Sequence, residues 1–99
     1  MVTKKIKRVS LFRFKNHDTE DIKKVVDALQ SMKGNVSSLM DIEVGVNLSD
    51  SAEAYDVVLI VTFKDIESLR KYEKDPFHLS VKEIVVGLKE SRAVVDYEF

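Results

Sequence analysis

Apolar side chains recur along this chain in two rhythms, at alternate positions and at every third or fourth, and the rhythm changes at polar breaks. In "IKRVSLFRF", residues 6 to 14, Ile6, Ser10, Phe12 and Phe14 share one face while Val9 and Leu11 lie on the other, which predicts a strand partly covered on both sides. The rhythm then shifts. "NHDTEDIKKVVDALQSMKG" spaces Ile22, Val25, Val26, Leu29 and Met32 along one stripe of a helix. Asp18 is placed to cap it, Glu20 and Asp21 put negative charge in its first turn, and Gly34 is the expected stop.

"LMDIEVGVNLS" alternates most regularly, with Met40, Ile42, Val44, Val46 and Leu48 directed to one side. After the polar "SDSAEA" link, "YDVVLIVTF" is almost continuously apolar, as a central strand covered on both faces would be. These two segments predict an antiparallel hairpin. Asp65 is placed to cap a second helix carrying Ile66, Leu69 and Tyr72, and Asp75-Pro76 breaks it. Pro76 can open a further helical segment with Val81, Ile84, Val85 and Leu88 in a stripe and His78 beside Val81. "RAVVDYEF" closes the chain as a strand, with Ala93, Val95, Tyr97 and Phe99 opposed to Val94, Asp96 and Glu98.

The predicted order is β, α, β, β, a broken α, β. Two helical crossovers on one side of a four-stranded antiparallel sheet make an α+β, ferredoxin-like arrangement. The second face of such a sheet has no helices, yet the Tyr55 to Phe63 segment is apolar on both sides. A second copy covering that face is expected, giving a homodimer in which two sheets close into an α+β barrel.

Composition narrows the picture further. With 99 residues, 44% of them apolar, one domain spanning residues 1 to 99 is expected. Sixteen basic and 17 acidic side chains, interspersed to a net charge of −1, give no field that would draw the chain onto nucleic acid or an anionic membrane. The absence of cysteine excludes disulfides, thiolate metal sites and a cysteine nucleophile. No apolar run approaches the ~18 residues that span a bilayer, and the cytoplasm is the expected location. Gly45 and Gly87 form no phosphate-cradling motif, there is no GxSxG elbow, and the two histidines have no metal-ligand spacing, so neither cofactor nor metal is expected.

Three segments in register, "IKRVSLFRFK", "YEKDPFH" and "VVDYEF", resemble the stress-responsive A/B barrel (Dabb) family, whose members are small dimeric α+β barrels. The resemblance spans nearly the whole chain. It implies the ferredoxin-like fold and the dimer, and, from a plant polyketide cyclase in the family, a general-base role for His78 supported by Tyr72. Two positions depart from the family pattern, with Arg8 and Asp75 standing where members often carry histidine. An arginine binds carboxylate or phosphate but does not act as a base near neutral pH.

The candidate site is therefore His78 and Tyr72 for chemistry, with Arg8, Phe12 and Phe77 for ligand binding, in a pocket between sheet and helices. An imidazole titrates near neutrality and a phenol can donate to a developing oxyanion. The plainer account has His78 packed at a helix start, Tyr72 in the core and Arg8 paired within the protein, with solvent or Asp96 sufficing if it reaches the rim, rather than by a ligand carboxylate. His17, in a polar loop beside Asp18, reads as a turn or cap neighbour. Two functions follow: binding of a small organic molecule, or a cofactor-independent lyase, cyclase or isomerase. A cavity with His78 opening into it favours catalysis, and a packed interior with His78 bonded to main chain favours binding or a purely structural role.

Overall fold

Alternation carries Ile6–Phe14 (β1) as an extended strand, and a single 3-10 turn at Lys15–His17 ends it. Asp18 then caps Thr19–Gln30 (α1), its carboxylate accepting from the Glu20 and Asp21 amides at 2.9 and 3.1 Å. The computed structural model describes residues 4–99, and the remaining elements follow as Asp41–Val46 (β2), Val57–Phe63 (β3), Ile66–Lys74 (α2), Pro76–Leu88 (α3) and Lys89–Glu98 (β4). The strands form one antiparallel sheet in the order β2-β3-β1-β4, the ferredoxin-like topology.

Cross-strand partners fix which residues share a face. Ile6, Ser10, Phe12 and Phe14 of β1 look toward the helices together with Val57, Leu59, Val61 and Phe63 of β3. There they meet α1 and α2, and Val25, Met32, Val61 and Phe63 lose all exposure. Each such side chain contributes roughly 1.5–3 kcal/mol on burial, so this layer holds the fold together. On the opposite face Ile60, Val9 and Val95 stand abreast on β3, β1 and β4, with Val58, Leu11 and Ala93 abreast beside them. No described segment of the chain covers that apolar block, and Val95 and Tyr97 stay 61% and 43% exposed. Gly45 fits its place on this face because a Cβ there would come within 3.0 Å of Val58 Cγ1.

Asp75 separates the two parts of the broken helix. Extended at ψ 127° before Pro76, it ends α2, and its carboxylate caps α3 by accepting from the Phe77 amide at 2.8 Å and the His78 amide at 3.4 Å.

Several positions differ from the sequence expectation. The second strand stops at Val46, and Leu48, expected inward, is 98% exposed on the loop beyond it. Met40 and Val46 are about half exposed, because β2 is an edge strand whose ends project past the helices. Gly34 does adopt the left-handed φ of 81°, yet α1 has already ended at Gln30 and the glycine turns the following loop. Ile84 is 46% exposed, one step off the α3 stripe of Val81, Val85 and Leu88.

Candidate functional site

Under α3 the helix layer does not close. The inward row of β4 is Arg92, Val94 and Asp96, opposite Phe12, Ser10 and Arg8 of β1, and a strand edge carrying two charges cannot be sealed by an apolar helix. A cavity of about 550 Å³ opens between α3, α1 and the β1–β4 pair. Its apolar wall is Phe12, Leu29, Met32, Leu59, Val81 and Val85, and Val86 and Val94, about half exposed, stand at its mouth. Its polar side comprises Arg8, Ser10, Tyr72, Glu73 and His78, with Lys82, Lys89 and Arg92.

Four of the five residues singled out from sequence meet at this cavity: Arg8, Phe12, Tyr72 and His78. Phe77 does not line it. Although adjacent to His78 in sequence, it projects about 100° around the helix and packs, half buried, against the core.

His78 lies against Tyr72 with ring centroids 3.9 Å apart and planes inclined by 31°. Its Nδ1 is buried and has no hydrogen-bond partner among the described residues. Burial holds the imidazole below its ordinary pKa, and the positive charges of Lys82 and Arg8 push the same way. The Tyr72 backbone and the Asp75 carboxylate pull weakly against them, the former without reaching hydrogen-bonding geometry. The ring is thus neutral near pH 7. Tyr72 is 2% exposed, and among the described residues its hydroxyl reaches only Met32 Sδ at 3.9 Å, a weak acceptor. Burial pushes this phenol up to about 12, against the pull of Arg8 and Arg92, so it remains a donor throughout the neutral range.

Arg8 is paired within the protein. Its Nε and one terminal nitrogen donate to the two oxygens of Asp96 at 2.8 and 3.1 Å, and the same nitrogen donates to Glu73 at 3.1 Å. The fork binds Asp96 through both oxygens and holds that carboxyl below its usual range, while Arg8 itself is raised. Both partners are more than two-fifths exposed, so solvent screens the pair.

Sequence reasoning missed Arg92, which donates to the buried Ser10 hydroxyl at 3.2 Å, and with it Lys82 and Lys89. The signal was present: β4 begins at Lys89, and carrying its alternation back from Asp96 and Val94 puts Arg92 on the inward row. His17 lies away from the cavity. It adopts a φ of 50°, and its Nδ1 is 2.6 Å from Asp56, a buried carboxylate that also accepts from the Phe14 amide at 2.8 Å. That bond fastens the turn after β1 to the start of β3.

Comparison with known proteins follows the fold closely. Residues 6–99 match the family model described as the stress responsive A/B barrel domain. Among solved structures, a dimeric protein of unknown function with a ferredoxin-like fold from Bacteroides fragilis is 28% identical, with a TM-score of 0.81 over 96% of each chain. A dimeric ferredoxin-like protein of unknown function from Thermobifida fusca is 21% identical, with a TM-score of 0.86 over 97% of this chain and 92% of its own. The hydroxynitrile lyase of Passiflora edulis shares the fold at 14% identity and a TM-score of 0.86, over 99% of this chain and 95% of its own. No curated protein is significantly similar to the chain in sequence.

Proposed function

The chain belongs to the stress-responsive A/B barrel family, and on that premise we propose that it is a homodimer that binds a small organic molecule in the cavity under α3. The observation that carries this reading is the cavity itself: about 550 Å³, apolar on one wall, with a few convergent polar groups on the other. The test is uptake of a neutral solvatochromic dye, N-phenyl-1-naphthylamine. Wild-type protein is expected to enhance its emission, and Val94→Trp, which plugs the mouth without touching the packed core, to abolish most of that gain with the circular dichroism unchanged. Equal uptake by both proteins, or none by either, contradicts the reading.

The dimer rests on the uncovered block of Val9, Leu11, Val58, Ile60 and Val95, and on the dimeric state of the Bacteroides and Thermobifida proteins. Sedimentation at micromolar concentration is expected to give a dimer for the wild type and a folded monomer for Ile60→Lys.

A second reading, a cofactor-independent lyase or isomerase, is favoured by His78 and Tyr72. A neutral imidazole on the cavity lining can take a proton from a carbon next to a carbonyl through a ring nitrogen that reaches the cavity, and the Tyr72 hydroxyl, which among the described residues meets a thioether alone, can donate to the oxygen that gains charge. The Passiflora neighbour, 14% identical, is a hydroxynitrile lyase, which supports a lyase reading only at the level of the shared fold. The open cavity beside His78 moves weight toward catalysis. Asp75, the acid nearest His78 in sequence, is engaged as the α3 cap, and among the described residues no carboxylate is bonded to the imidazole to orient it. Under this reading His78→Ala abolishes turnover of a substrate that still binds.

A further inference from the structure

We infer that the ligand of this cavity is an organic anion, an apolar body ending in a carboxylate, and that Arg92, flanked by Lys82 and Lys89, receives the charged end in place of Arg8. The inference rests on the small-molecule reading above and names its chemical class.

Charge distribution is the first observation. The whole chain carries a net charge of −1, yet among the described residues four basic side chains and a single acid, Glu73, line the cavity. Counting Asp96, which is bonded to Arg8 from just outside the lining, two positive charges in this small volume remain unbalanced. His78 already feels that field, since Lys82 and Arg8 both disfavour its charged form.

The second observation separates the two arginines. Arg8 spans Asp96 with Nε and one terminal nitrogen and reaches Glu73 as well, so two carboxylates already meet its single charge. A ligand carboxylate brought to Arg8 would have to displace one of them and face the other. Arg92 is in the opposite condition. It stands on the inward row of β4 opposite Phe12, and its terminal nitrogen donates to Ser10, a neutral hydroxyl that is 1% exposed in the cavity wall. That bond leans the guanidinium inward without neutralising it. Among the described residues no carboxylate is in ion-pair contact with Arg92, Lys82 or Lys89. The remaining donors of a planar guanidinium match the two oxygens of a carboxylate, which an ammonium group does not do.

The third observation is the arrangement of the walls. Phe12, Leu59, Val81 and Val85 offer an apolar surface next to these cations, so a molecule with an oily body and one charged end meets complementary chemistry at both ends. A free lysine on an open surface implies nothing, because water satisfies it. Here Lys82 and Arg92, both exposed, and the half-buried Lys89 border the same apolar space, so their charges act together at its edge rather than singly.

The experiment compares matched acids and amides on the intact protein by calorimetry, using octanoate with octanamide and 1-naphthoate with 1-naphthamide. At least one acid is expected to bind about tenfold or more tightly than its amide. Arg92→Gln is expected to remove most of that ratio while leaving amide affinity unchanged, and added salt to narrow the ratio in wild type only. Lys82→Gln, at the rim, gives a smaller loss and serves if Arg92→Gln disturbs β4. Amides that bind as tightly as their acids overturn the anion inference and leave the small-molecule reading standing. An acid preference that survives both variants overturns the assignment to these residues. Failure of both members of both pairs, together with failure of the neutral dye, removes the cavity reading as well.

Discussion

The helix-covered side of the sheet has a filled half and a hollow half. In the filled half α1 and α2 press Val25, Leu29, Leu69 and Tyr72 onto the sheet, and Val25, Met32, Val61 and Phe63 are sealed from solvent. In the hollow half α3 presents valines to a strand edge whose inward row is Arg92, Val94 and Asp96, and Val86 and Val94 remain about half exposed. Smaller side chains on the helix leave the space, and charges on the strand keep it from closing. Met32 and Leu29 belong to both halves as the shared wall. Stability is thus concentrated on one side of that wall and candidate chemistry on the other.

That division gives its largest effect in core truncation. Phe63→Ala, in the filled half, is expected to cost about 3–5 kcal/mol by chemical denaturation. Val86→Ala, at the cavity mouth, should stay within about 0.5 kcal/mol. Similar losses at the two positions would mean that the hollow half is packed in solution. A smaller effect concerns pH. Because burial lowers the folded pKa of His78, the unfolded chain takes up a proton first as pH falls from about 6.5, the ordinary histidine value. The stability contributed by the neutral ring is therefore complete above that value and is lost as pH falls through the lower folded pKa. Urea unfolding between pH 4.5 and 7.5 should show this rise with pH in the wild type, and a shallower one in His78→Gln. An unchanged slope would place the imidazole in water.

The filled half was the more legible in sequence, for a physical reason. Apolar periodicity reports burial, so the alternation of β1 and the Val25–Leu29 stripe, along with the capping aspartates 18 and 65, read directly into structure. Periodicity fails where an element ends in solvent, which is why Leu48 was expected inward. It also says nothing about which inward positions lack a roof. Arg92 looks like any surface arginine until the register of β4 puts it opposite Phe12, and Phe77 looks like a site neighbour of His78 until the helix turns it toward the core. Asp96 was named in sequence as a partner for Arg8, whereas Glu73, which joins it, meets Arg8 only through the fold.

The claim that the hollow half is a ligand site is tested most directly by mapping small-fragment binding onto assigned backbone amide resonances of the protein. The account predicts that hits shift Ser10, Val81, Val85 and Arg92 together while Val25, Val61 and Phe63 stay still. Hits confined to the outer sheet face, or a library that shifts none of the cavity amides, would contradict it.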